Sequence, residues 1–446
     1  MEKTICAIST PLGRGAISIV RLSGKNSLDI MKKVFISKSL DYNNIISRYL
    51  YFGSLTLENG SKEHCLSVYF KAPFSYTGED MVEFQINGGT YLTQSVLNLL
   101  LKNGASLAEN GEFTKRAYEN GKISLDMAES IIDEINAESE GELKASLSLA
   151  DGSLNKKINL MQEKLTECIA QIEATLDYPE EDFEDETKTN IFNLIESNLK
   201  DINELIENSK NSSLIKNGIN VALVGAPNVG KSATLNALIG ENRAIVTEIE
   251  GTTRDTLTES TIYKGMKINF IDTAGIRESE DKVEKIGIEK SKQSIDKADV
   301  ILFLLDGSQK LDKYDLKIKE LLNGYKNVIT IVNKSDLKRI LPEQKDEIVI
   351  SAQNENNINE IKESIFKMVK AEKIDYSHTI VTSARQIEIL ENSKLICNKI
   401  LSNKLESMDI IAMLIKELWN SLGKITGQCE NESIIDLIFS KFCLGK

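Results

Sequence analysis

The stretch Gly225-Ala-Pro-Asn-Val-Gly-Lys-Ser232 has the G-x-x-x-x-G-K-[ST] spacing of a phosphate-binding loop. It follows the apolar run Val221–Val224 and precedes an apolar helical pattern at Ala233–Leu238, the context in which such loops occur. Glycines let backbone N–H groups turn toward phosphate oxygens, and the helix N-terminus adds partial positive charge. Lys231 is expected to bridge the β- and γ-phosphates, and the Ser232 hydroxyl to bind Mg²⁺. The stretch predicts a nucleotide-binding α/β domain.

Four segments downstream of this loop narrow the nucleotide to GTP. Asp272-Thr-Ala-Gly275 fits a metal-side carboxylate followed by a glycine whose N–H meets the γ-phosphate. Gly251-Thr-Thr-Arg-Asp255 is expected to form a loop that brings a threonine to Mg²⁺. Asn333-Lys-Ser-Asp336 offers a carboxylate to guanine N1–H and the exocyclic amine, a donor pair that adenine lacks on that edge. Ser351-Ala-Gln353 would place a backbone N–H near guanine O6. Their order predicts a GTPase.

The hydrolytic machinery departs from the Ras pattern, in which a glutamine after D-x-x-G orients the attacking water. The residue after Gly275 is Ile276, which cannot do so. Another group must therefore position the water, and another cation must offset charge in the transition state. The candidates are Glu278, Glu280, Glu284, Arg254 and Arg277. Asn228, inside the loop, can be read either as a ligand for an extra monovalent cation or as a turn-former.

Composition excludes several classes of protein. The chain of 446 residues carries 67 acidic and 54 basic side chains, a formal charge of −13, which argues against a general nucleic-acid coat. No apolar run approaches the ~20 residues that span a bilayer, and the first residues show no signal-peptide core. We therefore expect a cytoplasmic protein without a membrane segment.

Cysteine and histidine usage points away from metal and triad chemistry. Only His64 and His378 are present, and no Cys-x-x-Cys pair occurs, so a zinc site would need distant pieces. We expect reduced thiols at most of the six cysteines, which are Cys6, Cys65, Cys168, Cys397, Cys429 and Cys443.

Hydrophobic patterning divides the chain into three kinds of region. Residues 1–118 mix short β-type runs (Ile17–Leu22, Cys65–Phe70, Met81–Ile86) with helical stretches, which predicts a small α/β domain. From about Leu125 the texture is helical. One helix face is expected to carry Leu154, Ile158, Met161, Leu165, Ile169, Ile172 and Leu176.

The acidic segment 177–186 reads as a solvated loop, and a second helix is expected at Ile191–Ser209. Apolar runs then alternate with helical patterns up to about residue 371, which predicts a mostly parallel sheet with helices on both faces. The predicted strands are Asn220–Val224, Lys267–Ile271, Val300–Leu305, Val328–Asn333 and Glu347–Ile350. Helical texture returns from Ser383.

These textures predict a multidomain α/β plus α protein. It combines a small N-terminal α/β domain, a central helical bundle and a Ras-like P-loop GTPase domain inserted into that bundle. The expected boundaries are 1–118 for the N-terminal domain, 119–215 for the first part of the helical domain, 216–372 for the G domain and 373–446 for the second helical part.

At this level of detail the sequence closely resembles the tRNA-modifying GTPase family MnmE, also called TrmE. The GTPase motifs are shared with many G proteins, whereas the two ends of the chain are specific to this family. The matching segments are Thr10-Pro-Leu-Gly-Arg-Gly-Ala16, Val20-Arg-Leu-Ser-Gly24, Ser75-Tyr-Thr-Gly-Glu-Asp80, Gly111-Glu-Phe-Thr114, residues 218–236, Gly251–Asp255, Asp272–Arg277 and Phe439-Ser-Lys-Phe-Cys-Leu-Gly-Lys446.

The resemblance implies a homodimer with an N-terminal folate-binding and dimerising domain. With an FAD-dependent partner, MnmG (GidA), the family forms an aminomethyl or carboxymethylaminomethyl group at C5 of the wobble uridine in tRNA. A tetrahydrofolate derivative, 5-formyl or 5,10-methylene, is the implied one-carbon donor. By motif match, the folate contacts fall on Arg21, Glu83, Lys122 and Lys446. Arg21 and the lysines suit carboxylates, and Glu83 suits the donor edge of a pterin.

The resemblance also implies how hydrolysis proceeds without the glutamine. The family is activated by K⁺ and by G-domain dimerisation, and Glu284 matches its water-orienting glutamate. The positions matching the K⁺ ligands are Asn228, Thr247, Ile249 and Thr252, and those matching the Mg²⁺ ligands are Ser232 and Thr253. The GTP-binding set comprises Asn228, Val229, Gly230, Lys231, Ser232, Ala233, Thr247, Glu248, Ile249, Glu250, Gly251, Thr252, Thr253, Asp272, Thr273, Ala274, Gly275, Asn333, Lys334, Asp336, Ser351 and Ala352.

Cys443 matches the C-terminal cysteine of the family, which the resemblance places near the folate. A thiolate there could add to C6 of uracil and make C5 nucleophilic. The alternative is a buried thiol at a helix end. Two departures from the family pattern occur, at Asn87 before Gly88-Gly89 and in Ser232-Ala-Thr-Leu235, and neither removes a phosphate or metal ligand.

Two other classes of function remain to be weighed. A regulatory GTPase that binds ribosomal RNA usually carries a second G domain or a KH module. This chain has one P-loop, and its segment after Ala371 is helical without a G-x-x-G loop. A membrane-remodelling protein would need a basic or apolar lipid-facing segment, and none is evident.

Overall fold

This computed structural model describes residues 3–177, 184–240, 259–271, 292, 294–371, 378–403 and 407–446. Contacts between Cα atoms divide the chain into two compact units. The first comprises Met1–Ile132, Ala150–Glu196 and Leu395–Lys446, and the second comprises Asp133–Leu149 and Ser197–Lys394. Each unit has its own sheet.

The first unit begins with a seven-stranded sheet in the order β3-β4-β5-β6-β2-β1-β7. Its pairings are antiparallel except for β1 with β7. The strands are β1 Ile5–Ile8, β2 Ile17–Ser23, β3 Phe35–Ile36, β4 Leu50–Thr56, β5 Lys62–Phe70, β6 Met81–Asn87 and β7 Ser106–Leu107. The helices are α1 Ser27–Val34, α2 Thr90–Lys102 and α3 Glu112–Glu119.

Alternation along these strands separates a covered face from an open one. In β4, Tyr51 and Leu55 are buried, and they join one core with residues of α1 and α2. The opposite face carries Phe52, 64% exposed, paired in register with Leu66 on β5. Such alternation is typical of an antiparallel sheet with helices on one side.

Helices make up most of the remainder of the chain outside the second sheet. They are α4 Leu125–Asn136, α5 Glu140–Ala150, α6 Ser153–Asp177, α7 Glu184–Asn208, α8 Ser212–Asn217, α12 Ala384–Ser402, α13 Met408–Thr426 and α14 Glu432–Ser440. Helices α6 and α13 pack along one another. Gln162 Nε2 donates to the Trp419 carbonyl at 3.1 Å, and Trp419 Nε1 donates to Thr166 Oγ1 at 3.1 Å.

Two helical expectations need correction. The buried face of α6 includes Cys168 rather than Ile169, and Leu176 is 48% exposed. The steps from Met161 to Leu165 and Cys168 follow the 3.6-residue period more closely. The loop expected at 177–186 is wrong at its C-terminal end, since α7 already begins at Glu184. Acidic side chains are favourable in the first turn of a helix, so this charge run suits a helix start.

The second unit contains a six-stranded sheet in the order β13-β12-β11-β8-β10-β9. Every pairing is parallel except β9 with β10. Its strands are β8 Ile219–Gly225, β9 Glu259–Tyr263, β10 Met266–Ile271, β11 Val300–Asp306, β12 Val328–Asn333 and β13 Ile348–Val349. Its helices are α9 Lys231–Ile239, α10 Lys313–Leu321 and α11 Ile358–Met368.

Apolar cores lie on both faces of this sheet. One contains residues of α9 and α11, and the other contains Leu305, Leu322 and partly buried residues of α10. Strands β8, β11 and β12 are central and mostly buried, as expected for parallel strands covered on both sides. The carboxyl ends of β8 and β12 lead into predicted nucleotide-binding residues, and β11 lies between these two strands.

Candidate functional site

The loop between β8 and α9 has a backbone form suited to phosphate. Asn228 and Gly230 have left-handed φ values of 63° and 97°. A Cβ at position 230 would lie 2.2 Å from Asn333 Nδ2, so only glycine fits there. Left-handed residues in such loops turn successive N–H groups toward a bound anion. Helix α9 begins at Lys231, which places Ser232 and Ala233 in its first turn.

Lys231 lies against its own loop. Its Nζ donates to the carbonyls of Gly225 and Ala226 at 2.8 and 2.7 Å. Burial lowers the pKa of Lys231, and the charge of Asp315 opposes that effect. The ammonium is therefore held beside the loop, where phosphate oxygens would supply its missing counter-charge.

Asn333 joins the phosphate loop to the loop after β13. Its side chain is 3% exposed; Nδ2 donates to the Val229 carbonyl at 2.9 Å, and Oδ1 accepts from Ala352 N–H at 3.0 Å. Both hydrogen bonds are buried, where an unpaired partner would be costly. The predicted phosphate-binding and base-binding segments are thus parts of one hydrogen-bonded unit.

Asp336 and Lys334 are each held by a side chain from a neighbouring segment. Ser351 Oγ donates to Asp336 Oδ1 at 2.6 Å, and Lys334 Nζ lies 2.7 Å from Asp306 Oδ2. Lys334 adopts a left-handed φ of 66°. These contacts orient the carboxylate and the lysine stem that would border a base.

Two carboxylates at this site were not identified from the sequence. Burial opposes ionisation of Asp306, but hydrogen bonds from Lys334 and Ser308 lower its pKa overall. Asp315 lies in the first turn of α10, where it completes a capping box with Asp312, and burial raises its pKa. No sequence motif marks Asp306, whose place beside Asn333 follows from the parallel pairing of β11 with β12. The D-x-x-D spacing of Asp312 and Asp315 indicated the cap.

The rest of the predicted catalytic set lies outside the described residues. This applies to the candidates Arg254, Arg277, Glu278 and Glu280. It also applies to Thr247, Glu248, Ile249, Glu250, Gly251, Thr252, Thr253, Asp272, Thr273, Ala274, Gly275 and Glu284.

In the first unit, the structure pairs two of the residues assigned to folate. Arg21 and Glu83 face each other across β2 and β6, and Arg21 Nε donates to Glu83 Oε1 at 2.8 Å. Their side chains are only 18% and 14% exposed. The guanidinium carbon also lies 5.6 Å from the ring centre of Tyr76 and 5.7 Å from that of Phe113. This corner combines a charged pair with two aromatic rings.

Lys122 lies after α3, where its Nζ donates to the Pro73 carbonyl at 3.1 Å. Lys446 lies in a short tail, residues 441–446, that follows α14 and contacts the N-terminal domain. Ser9 Oγ donates to the Gly445 carbonyl at 3.1 Å, and Asn110 forms an antiparallel bridge with Leu444. A Cβ at position 445 would lie 2.1 Å from the Ile8 carbonyl, so the tail fits only with glycine there.

The cysteines are free thiols, and five of them are buried or half-buried. Cys443 is exposed, so its alternative interpretation as a buried thiol is wrong. Burial raises the pKa of Cys6, Cys65 and Cys397 to about 12, which leaves them protonated at neutral pH.

Metal-binding clusters and membrane-spanning helices are both absent from the described part of the chain. Among those residues, no group of three or more His, Cys, Asp or Glu side chains is arranged to hold a metal ion. In the same ranges, no helix has the length and apolar character needed to cross a membrane.

Comparison with known proteins covers the whole chain. The family model described as the MnmE helical domain matches residues 125–443, and that described as the GTP-binding protein TrmE N-terminus matches residues 4–122. The chain is 41% identical to the tRNA modification GTPase MnmE of Aquifex aeolicus (strain VF5), with all of both chains covered. The protein of that name from Clostridioides difficile (strain 630) is 39% identical, again over all of both chains. That from Lactococcus lactis subsp. lactis (strain IL1403) is 40% identical over 99% of this chain and 98% of its own.

Proposed function

Since this chain belongs to the MnmE family of tRNA modification GTPases, we propose that its GTP hydrolysis serves the modification of the wobble uridine in tRNA. The product would be an aminomethyl or carboxymethylaminomethyl group at C5. The observation that carries this proposal is the tail at residues 441–446, which lies on the N-terminal sheet. It brings an exposed thiol and the terminal lysine to the domain that contains the Arg21–Glu83 pair.

We propose that GTP binds with its phosphates at Asn228–Ala233 and its guanine between Lys334, Asp336 and the Ser351-Ala352 segment. The hydrogen bonds of Asn333 and Ser351 support this, because they hold both segments in place. Ser232 would bind Mg²⁺ at the start of α9, together with Thr253. The remaining nucleotide contacts of the proposal are those named for residues 247–253 and 272–275.

We propose that K⁺ offsets transition-state charge and that Glu284 orients the attacking water. The left-handed conformation of Asn228 supports its part in K⁺ binding, since it belongs to the same loop as the phosphate-binding N–H groups. Thr247, Ile249 and Thr252 would complete the ligand set. A cation at this position would act as an arginine finger does in other GTPases.

We propose a folate site at the corner formed by Arg21, Glu83, Tyr76 and Phe113. A bound tetrahydrofolate derivative, 5-formyl or 5,10-methylene, supplies a one-carbon unit. The partly buried Tyr76 ring and the charged pair suit a flat heterocycle with a polar edge, and the fully buried Phe113 supports the guanidinium from the core side. Glu83 would accept hydrogen bonds from that edge. Lys122, Lys446 and Arg21 would hold carboxylates.

We propose that the Cys443 thiolate adds to C6 of the target uracil. The new C6–S bond would move the C5–C6 electron pair toward C5, so that C5 becomes nucleophilic toward the one-carbon unit; as the C5–C bond forms, an electron pair of the donor carbon would pass to the folate. Loss of the C5 proton and expulsion of the thiolate restore the C5–C6 double bond. The exposure of Cys443 supports this role, because a nucleophile must reach the base.

We propose that the protein is a homodimer formed through the open face of the N-terminal sheet. Phe52, Ile17 and Leu50 are 64%, 62% and 47% exposed on that face. Several exposed apolar side chains on one face of a sheet are typical of an interface. Because Arg21 and Glu83 lie on the same face, pairing would bring the folate corner close to a second copy.

We also propose that the protein acts together with an FAD-dependent partner, MnmG. The pair would modify tRNA in the cytoplasm. The acidic charge of −13 supports a partner, because this chain alone offers little net attraction to phosphate. The free thiols fit a reducing compartment. The proposed domain boundaries remain 1–118, 119–215, 216–372 and 373–446.

The test is nucleoside analysis of tRNA from cells that lack this protein and are complemented with variants. We expect the C5-substituted wobble uridine to be absent and to return with the wild-type gene. Cys443→Ser should fail to restore it while GTP hydrolysis continues. The matched control is Cys429→Ser, a half-buried cysteine that should restore modification. Normal modification in the cells that lack the protein contradicts the proposed function, and restoration by Cys443→Ser contradicts a catalytic thiol.

A further inference from the structure

A pocket lies in the second unit, between α9 and the start of α11. It has a volume of about 390 Å³ and is lined by Ala237 of α9 and by residues 355 and 357–360 and Lys362 around the start of α11. This volume is within the range of small-molecule sites. None of these residues belongs to the nucleotide-binding set described above.

Lys362 is the unusual member of this lining. The residue as a whole is only 9% exposed, and its side chain has no hydrogen bond or ion pair with any residue that the structure describes. Its Nζ lies 5.9 Å from the ring centre of Tyr263, a contact that accounts for the packing of the stem but supplies no counter-charge. Burial lowers the pKa of Lys362, as expected for an ammonium without a carboxylate beside it.

The N-terminus of α11 contributes a second positive feature to the same pocket. Asn357 is its N-cap residue, but its side chain makes no capping hydrogen bond. Instead, Asn357 Nδ2 donates to the Val349 carbonyl at 2.9 Å. The first-turn N–H groups of Ile358 and Asn359 therefore depend on a partner from outside the helix. Both residues line the pocket.

We propose that this pocket is a binding site for a singly charged oxyanion, either a carboxylate or a phosphodiester. Its oxygens would accept from the Lys362 ammonium and from the first-turn N–H groups of α11. Glu355 and Glu360 stand exposed at the rim, so a doubly charged phosphate is repelled more than a single charge. The cavity exceeds the size of the oxyanion alone, so the group is expected to belong to a larger ligand.

The first test uses the full chain loaded with Mg²⁺ and a non-hydrolysable GTP analogue, so that the phosphate loop is occupied. Reductive methylation of individual lysines is followed by mass spectrometry with acetate, dimethyl phosphate or chloride at equal ionic strength. We expect acetate or dimethyl phosphate to slow methylation at Lys362. Lys367, an exposed lysine on the same helix, is the internal control and should react at an unchanged rate. Slowing by acetate alone identifies a carboxylate site, and slowing by dimethyl phosphate alone identifies a phosphodiester site.

The second test compares affinities by titrating the same anions and following the backbone amide signals of residues 358–359. Lys362→Met keeps the volume of the stem and removes the charge, so affinity should fall about ten- to hundredfold. Lys362→Arg should retain binding, and Lys367→Met should match the wild type. The proposal is overturned if neither anion protects Lys362 in the wild type, or if Lys362→Met binds as tightly as Lys367→Met.

Discussion

At the scale of single residues, the groups that would contact guanine are held by neighbours. Ser351 Oγ donates to Asp336, and Asp306 pairs with Lys334. A carboxylate that reads two donors on a base loses affinity if it can rotate, so such second contacts maintain selectivity. Replacing one carboxylate oxygen of Asp336 should therefore change which nucleotide base the protein prefers.

We expect Asp336→Asn to weaken GTP binding about ten- to hundredfold, because it replaces a charged acceptor of two hydrogen bonds. It should also improve binding of the xanthine nucleotide, whose 2-oxo group can accept from the new amide. Competition binding with the two nucleotides measures both effects. Asp346→Asn, an exposed change in the same unit, should behave as the wild type. Unchanged GTP affinity in Asp336→Asn would show that guanine does not bind at the Asp336 carboxylate.

We expect Glu284→Ala to retain nucleotide affinity and to lose turnover by about 10²-fold or more, the usual scale for a group that acts on the transition state. Single-turnover hydrolysis in K⁺ measures this loss. Glu278→Ala and Glu280→Ala are the controls, and a larger loss of turnover in either would assign the water-orienting role to that residue.

We expect the wild type to hydrolyse GTP more slowly when K⁺ is replaced by Na⁺. Equal rates of hydrolysis in the two salts would exclude the K⁺ assignment.

Sequence patterns anticipated which residues belong together but not what holds them. Asp336 and Ser351 were predicted from motif spacing, and they meet at 2.6 Å. Asp306 has no motif of its own; it acts because β11 and β12 pair in parallel, which brings their ends together. Such cross-strand contacts depend on sheet order, which a linear pattern does not encode.

At the scale of elements, the end of β12 supports both halves of the nucleotide site. Asn333 bonds to the phosphate loop on one side and to the loop after β13 on the other. Gly230 must lack a Cβ because the Asn333 amide occupies that space. The two loops are therefore expected to lose order together.

We expect Asn333→Ala to weaken GTP binding and to speed hydrogen exchange at the Ala352 amide. Both follow because Val229 O and Ala352 N lose buried partners, at about 1–3 kcal/mol for each group. Asn333→Asp keeps the acceptor for Ala352 but not the donor to Val229. It should protect the Ala352 amide better than Asn333→Ala does. Equal exchange in the wild type and Asn333→Ala would show that the link carries no stability.

Strands of the G domain were the most predictable elements, because buried parallel strands form continuous apolar runs. β8, β11 and β12 appear within one or two residues of their expected bounds. β9 was not anticipated; its sequence, Glu259-Ser-Thr-Ile-Tyr263, mixes polar and apolar residues, as an antiparallel edge strand does. The start of α7 was missed because acidic residues favour both solvated loops and helix N-termini.

At the scale of the whole molecule, charge is distributed unevenly along the chain. The first 122 residues hold 14 Lys and Arg against 11 Asp and Glu, although the chain as a whole is strongly acidic. The N-terminal region is thus less repulsive toward RNA than the rest of the chain taken together, and the open face of its sheet carries exposed apolar side chains. Both properties suit a region that meets other molecules.

We expect Phe52→Glu to convert the proposed dimer into monomers, because it places a charge within the apolar open face. Sedimentation of the full chain at several concentrations measures the change. Tyr91→Glu on α2, at an 84% exposed position, is the matched control and should leave the dimer intact. A dimer that survives Phe52→Glu would require a different interface.

We expect Gly445→Ala to displace the tail and abolish tRNA modification while GTP hydrolysis continues. Its φ is +91°, and the added Cβ would meet the Ile8 carbonyl. Gly60→Ala is the control: its φ is +81° but nothing lies within 4 Å of the new atom, so it carries backbone strain without the clash. Cells complemented with Gly445→Ala should lack the tRNA modification, whereas cells complemented with Gly60→Ala should retain it. Equal modification by the two variants would show that the position of the tail is not needed for the reaction.

The contact between Ser9 and Gly445 joins residues 436 positions apart. A ribosome that adds 5–20 residues per second needs roughly 20 to 90 s to travel that distance. During that time the N-terminal domain has already been synthesised but lacks the contacts that Leu444 and Gly445 make with it. Leu125 and Ala128 of α4 also lack packing partners at this stage. These partners, Ile438, Phe439 and Phe442, are synthesised last. The first domain to emerge is therefore among the last to be finished, and its apolar edge is exposed to chaperones throughout synthesis.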